Sequence, residues 1–289
     1  MNVSVNVVLI SRSSALSDSI RNQLNLRERP LVILSSEDLP NFDTKLLRNA
    51  IVVDGDPLVC FQSSDGVTAA LHEQSLVERR RLLQACREMD APYVFLSDGR
   101  VFDASTGSDH ERREDEDAVA SSLAGKQLAE FERLVLGVAG QGLVLRTGPL
   151  IAAQEGNFLG DCLAAMRDGN VLSLNDSLMG CPTPVSDLAR VVSGMLDQLS
   201  CGAPCRGVYH YNSSGAASAY EFAEVVCAFA AQFVAPVADI AAADTGITWV
   251  PQVPVLSCDQ LLQDFGIKQL PWRAYLPRMV RAICEGVSK

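Results

Sequence analysis

A nearly unbroken apolar run, Val5–Ile10, is followed at once by Leu16, Ile20 and Leu24, and this order of elements recurs through the first half of the chain. The run suits a strand buried on both faces, and the four-residue spacing after it suits one face of a helix. Further strands are expected at Leu31–Leu34, Ala50–Val53, Tyr93–Leu96 and Gly142–Arg146. Helices are expected at Ser17–Leu26, Thr68–Met89 and Ala118–Gly137. Strands separated by helices argue for a parallel sheet covered on both sides. In Thr68–Met89 the spacing turns Leu71, Leu76, Leu82, Leu83 and Cys86 inward and leaves Arg79-Arg80-Arg81 as a solvated face or partner contact.

The second half is less regular. Helices are read at Phe158–Asp168, Pro184–Leu199 and Ala219–Phe233, short strands at Val171–Leu174 and Val208–Tyr211, and a last helix after Trp272. With 289 residues, 48 % of them hydrophobic, the chain can bury a large core. A net charge of −11 and only four lysines exclude nucleic acid and anionic membrane surfaces as partners. No apolar run is long enough for a bilayer, and the N-terminus lacks the pattern of a secretory leader. Nine scattered cysteines fit reduced thiols in a cytoplasm, and no clustering suits a metal. The charge run Asp109–Asp117 reads as a solvated loop.

The first strand–turn–helix unit has a specific oddity. A unit of this kind that holds a dinucleotide carries glycines in its turn, so that bare backbone approaches the pyrophosphate. Here the corresponding positions are Ser11, Ser14 and Ser17. A serine adds a Cβ and resists positive φ. Ser11, Arg12, Ser14, Ser17 and Asp54 are the residues that would face a cofactor. The serines make no bound cofactor the expected state, with NADP or NAD as the alternative, for which Arg12 would supply charge to a 2′-phosphate. Asp54 and Asp56 flank a glycine at a strand's carboxyl end, a place that suits Mg2+; a turn, Asp54-Gly55-Asp56-Pro57, is the preferred reading. Ser97, Asp98 and His110 lack the glycine frame of a hydrolase nucleophile, and His210 reads as a core histidine.

Several segments in order resemble the dTDP-4-dehydrorhamnose reductase family, within the extended short-chain dehydrogenases/reductases. They are Ser97-Asp98-Gly99-Arg100-Val101-Phe102-Asp103, Ser121–Lys126, Leu145-Arg146-Thr147, Gly156-Asn157-Phe158, Gly180-Cys181-Pro182-Thr183, Ser186–Ala189, Gly207–His210, Ser218–Ala223 and the ending from Val255 to Arg273. The resemblance implies an α/β fold: a Rossmann-type parallel sheet with helices on both faces plus a smaller C-terminal substrate-type lobe. Residues 1–148 would form the first domain, with segments about 184–215 returning to it, and 149–289 the second.

The resemblance also implies a hydride transfer from NAD(P)H to a 4-keto sugar nucleotide. A Thr or Ser holds the carbonyl, a Tyr gives the proton, and a Lys four residues on lowers the Tyr pKa. The corresponding positions here are Asp98, Ala118 and Ser122, so all three roles are vacant. No tyrosine lies between Tyr93 and Tyr209 to replace the missing one. The substrate-type pocket keeps Arg146, Asn157, Gly180 and Thr183, for which structural roles as turn and helix cap are the competing reading. The family's Arg-Pro-Ala-Asn-Ser segment appears as Val250–Pro254. The expectation is a non-catalytic reductase-like protein that binds a partner protein, itself in a homodimer, or a nucleotide-sugar-like ligand. The alternatives are a divergent NAD(P)-dependent sugar-nucleotide reductase or epimerase, and a structural homodimer paired through the two long helices.

Overall fold

The structure is a computed structural model that describes residues 5–62, 66–102, 111–154, 157–168, 171–233, 239–249 and 251–286. In chain order the first elements are β1 (Asn6–Ile10), α1 (Ala15–Leu26), β2 (Leu31–Leu34), β3 (Ala50–Asp54), α2 (Asp56–Gln62), α3 (Ala69–Glu88), β4 (Tyr93–Asp98), α4 (Leu123–Val138) and β5 (Gly142–Thr147). There follow β6 (Leu150–Ile151), α5 (Phe158–Asp168), β7 (Leu172–Leu174), β8 (Thr183–Pro184), α6 (Val185–Ser200), β9 (Gly207–Tyr211), α7 (Ala219–Ala230), β10 (Ile240–Ala242), α8 (Asp259–Phe265) and α9 (Leu276–Cys284). No described helix is long and apolar enough to cross a membrane.

Six parallel strands form the main sheet in the order β2-β1-β3-β4-β5-β9. Alternate residues of each strand enter opposite cores, as the two-residue strand period requires. Val7, Leu9, Val53 and Leu96 meet α1 and α6, with Leu188, Val192 and Met195 opposite them. Val8, Ile10, Val52 and Phe95 meet α3 and α4 through Leu82, Leu83, Leu128 and Phe131. The helix α8 joins the first of these cores through Leu261 and Phe265, although it lies outside the returning segments expected from the sequence. A third core gathers α5, α7 and α9 around Phe158, Phe222, Trp249 and Trp272.

Asp187 of α6 ties these parts together. Its buried carboxylate accepts hydrogen bonds from Tyr211 Oη at 2.5 Å, Ser213 Oγ at 2.8 Å and Tyr275 Oη at 2.8 Å, and pairs with Arg190 at 2.8 Å. The donors come from the end of β9, from α6 itself and from the start of α9.

Three expectations change. The segment after β3 is not a plain turn, because α2 begins at Asp56. The helix expected from Ala118 begins only at Leu123; Ala118 is exposed and non-helical, and Ser122 is the N-cap, accepting from Gly125 N at 3.0 Å. The inner face of α3 carries His72 and Arg79 as well as Leu82, Leu83 and Cys86, whereas Leu71 is exposed.

Gly125 sits where α4 crosses the turn after β4. A Cβ there would lie 2.1 Å from the Arg100 carbonyl oxygen. Backbone cannot yield as a side-chain tip does, so Gly125→Ala is expected to cost about 1–3 kcal/mol through overpacking. Urea unfolding of the purified variant measures this.

Candidate functional site

The strand order places the functional crevice. The chain runs from β1 outward to β2, then returns across β1 to β3, so the order reverses between β1 and β3. Ligands of open α/β sheets bind outside the carboxyl ends of the strands at such a reversal. Here those ends are Ser11 and Arg12 after β1, and Asp54, Gly55 and Asp56 after β3.

Each expected cofactor residue is engaged within the chain. Ser14 caps α1: its Oγ accepts from Ser17 N at 3.1 Å, and Ser17 Oγ accepts from Ser14 N at 3.0 Å. This reciprocal pair satisfies amide donors that a pyrophosphate would otherwise take at a helix N-terminus. Ser11 Oγ donates to the Arg12 carbonyl at 3.0 Å. Arg12 spans the crevice to Asp56, through its backbone N–H at 3.0 Å, Nε at 3.1 Å and Nη2 at 3.2 Å. Ser36 Oγ donates to the same carboxylate at 2.5 Å. Burial acts to raise the Asp56 pKa, but the bonds from Arg12 and Ser36 outweigh it and hold the group below the usual carboxylate range.

Behind this pair lies a second one that the sequence reading missed. Arg79, expected on a solvated face, is 1 % exposed and donates to Asp54 through Nε at 2.7 Å and Nη2 at 3.3 Å. It also bonds Ser36 Oγ at 3.0 Å and Ser75 Oγ. Tyr93 Oη completes the set with a 2.6 Å bond to Asp54. With both aspartates held by arginines, no described group of His, Cys, Asp or Glu is arranged to hold a metal. At this crevice the amides at the head of α1 are capped by Ser14 and Ser17, and the Arg12 guanidinium is paired with Asp56.

Of the positions that the sequence reading sets against the reductase catalytic groups, Asp98 and Ser122 are likewise engaged within the chain. Asp98 does not present a free charge to a substrate carbonyl, because Arg100 chelates it through Nε at 2.9 Å and Nη2 at 2.6 Å. Arg100 Nη1 donates onward to the Phe61 carbonyl at 2.8 Å. Val253, from the segment read in place of the family's Arg-Pro-Ala-Asn-Ser, is buried against Gly99, where a Cβ would meet its own at 3.0 Å. Ala118 and Ser122 do not share a helical face.

The pocket residues take structural roles. Arg146 is buried and paired with Glu132 at 2.7 Å, its guanidinium 4.9 Å over the Phe102 ring. Asn157 accepts from Leu159 N at 3.2 Å at the head of α5. Gly180 leaves room for Trp249, whose indole would stand 2.7 Å from a Cβ there. Thr183 is fully buried, donating to the Cys181 carbonyl and accepting from Ser213 N. Asp109 and His110, the first two residues of the charge run, lie outside the described residues. None of the nine cysteines is in a disulfide, and burial pushes Cys86, Cys162, Cys181 and Cys258 up to about 12, which removes thiolate reactivity in those four.

The tyrosines are the decisive inventory. All five donate to carboxylates: Tyr93 to Asp54, Tyr209 to Asp264, Tyr211 and Tyr275 to Asp187, and Tyr220 to Glu224. Burial and the adjacent acid raise the pKa of Tyr93, Tyr209, Tyr211 and Tyr275, and the Glu224 bond raises that of Tyr220. Arg79 beside Tyr93 and Arg190 beside Tyr211 and Tyr275 pull the other way, as the cation beside a proton-donating tyrosine would, but burial and the carboxylates outweigh them.

Comparison with known proteins gives this doubly covered parallel sheet its family. The profile of the RmlD substrate binding domain matches residues 70–284, and the chain belongs to that family. A dTDP-4-dehydrorhamnose reductase of Sinorhizobium fredii is 26 % identical over 279 residues, covering 90 % of this chain and 93 % of the relative. One from Streptomyces griseus is 31 % identical over 137 residues, 47 % of this chain and 44 % of the relative. Crystal structures of the same enzyme from Clostridium acetobutylicum and, in complex with NADP, Bacillus anthracis superpose with a TM-score of 0.76 at 18 % and 17 % identity, each covering 96 % of this chain and 99 % of the other.

Two measurements follow from these buried charges. Removing Arg79 strands the Asp54 carboxylate in the core, so Arg79→Leu is expected to cost about 3–5 kcal/mol in urea unfolding, and Asp54→Asn in the same background to recover part of it. His210 is fully buried; burial first, then Arg146, lowers its pKa from 6.5 to about 3. Between those values the unfolded chain binds a proton that the folded one refuses, so stability falls as pH drops through that window. The slope approaches about 1.4 kcal/mol per pH unit for this one group, and His210→Gln should flatten it.

Proposed function

We propose that this protein works by binding, not by hydride transfer: a member of the reductase family that has kept the backbone and given its crevice to internal ion pairs. The observation that carries this reading is the pairing of every phenol with a carboxylate. Each tyrosine that could deliver a proton to a reducing carbonyl is engaged by a carboxylate, and Asp98 and Ser122 are committed to Arg100 and to the α4 cap. The partner on this reading is a protein, either a second copy or a different chain, or a nucleotide-sugar-like ligand held in the C-terminal lobe.

A second reading draws support from the comparisons, which favour it over the first. The Sinorhizobium fredii relative is matched over almost its full length and is a reductase, and the Bacillus anthracis neighbour carries NADP. On that reading the chain is a divergent NAD(P)-dependent sugar-nucleotide reductase or epimerase, and its crevice opens to the cofactor.

One experiment separates them. The purified protein is melted with and without NADPH and NADH, then incubated with each and a dTDP-4-keto sugar. Binding in place of hydride transfer predicts no consumption of reduced nicotinamide and no cofactor-dependent rise in Tm. A cofactor at 100 times its Kd would add about 2.7 kcal/mol. A clear Tm rise with turnover establishes the second reading and removes the first.

A further inference from the structure

The crevice between β1 and β3 is built to hold an anion, and the chain supplies one. Arg79 Nη2, which donates to Ser36 and Asp54, stands 3.8 Å from the Asp56 carboxylate, and three donors converge directly: the Arg12 backbone N–H, the Arg12 guanidinium in a two-point approach and the Ser36 hydroxyl. A backbone amide, a forked guanidinium and a hydroxyl form the donor set that recognises a phosphate group. All of them point at one carboxylate, that of Asp56.

The helix that carries Asp56 is fixed at both ends. Its first residue is tied to Arg12 and Ser36. Near its last turn the Phe61 carbonyl accepts from Arg100, itself held by Asp98. Between these ties Leu58 and Phe61, 1 % and 2 % exposed, enter the two cores on opposite faces of the sheet. The helix thus lies across the carboxyl ends of the strands, where a ligand of such a sheet would lie.

We propose that Asp56 is a built-in substitute for a phosphate group, and that α2 is the plug that holds it in the anion cradle of the crevice. This rests on the binding reading above, and it adds the reason the crevice is closed. Charge supports it. Arg12 and Arg79 balance Asp54 and Asp56, so loss of Asp56 leaves one uncompensated guanidinium facing the crevice. The cradle then takes an external phosphate monoester or diphosphate in its place.

The test uses ADP as the probe in calorimetric titrations of the full chain. Asp56→Ala is expected to bind ADP at least about tenfold more tightly than the parent, because one attractive charge is freed and one repulsive charge removed. Asp56→Asn keeps the shape and drops the charge, and is expected to show a smaller gain; it also serves if the alanine variant does not fold. Adding Arg12→Ala to either variant is expected to abolish the gain. Equal ADP affinity in the parent and in a folded Asp56 variant overturns the proposal, as does a gain that survives loss of Arg12. Neither result touches the binding reading, which falls only if the parent turns over NADPH.

Discussion

Two arginines and two aspartates meet where the strand order reverses; Asp54, Asp56 and Arg79 are buried there, and Arg12 closes the cluster from the solvent side with its side chain 50 % exposed. A charge in such a place is tolerated only with a partner and a full set of hydrogen bonds. Each member therefore fixes the next. Asp54 at the end of β3 demands Arg79, which sets the rotation of α3. Arg79 and Asp56 share Ser36, which draws the segment after β2 inward. Asp56 demands Arg12, which closes the gap between β1 and β3 and seats α2. The shape of the crevice is the consequence of this chain of obligations, with the apolar core only permitting it.

The same logic separates fold from chemistry. The sheet, its two helical layers and the C-terminal lobe depend on apolar faces and on close approaches such as Gly125 to the Arg100 carbonyl. The chain matches a reductase relative at only 26 % identity. On the binding reading proposed above, the polar groups that reduction needs at strand ends and on one helical face have given way to internal pairs without disturbing the layers. A fold hosts a function through its site.

The layered α/β architecture was legible in the sequence because it rests on local periodicity. Val7, Leu9, Ile51 and Val53 alternate with residues of the opposite core, and Leu16, Ile20 and Leu24 recur at helical spacing. The ordered motifs from Ser97 to Arg273 pointed to the family. Arg79 was not legible, because its burial is decided by Asp54, 25 residues away, and a charged residue on a helix reads as surface until its partner is known. The helix α2 left a signal that the reading passed over: Pro57 next to Asp56 is a helix-opening pair, with proline in the first turn. The late start of α4 was signalled too, by Ser122 as an N-cap, but the apolar pattern before it suggested a longer helix. The five tyrosine–carboxylate pairs join residues from 4 to 88 positions apart, and only Tyr220–Glu224 lies within helical reach.

The serine cap on α1 has a consequence for how the protein lives with its surroundings. Where a phosphate-binding turn is made of glycine, bare amides at the helix head wait for a metabolite, and the folded state gains when that metabolite arrives. Here Ser14 and Ser17 complete the helix from within, and the counter-charge comes from the chain as well. On the binding reading, folding is finished before any small molecule is met, and the amount of native protein is uncoupled from the supply of dinucleotide.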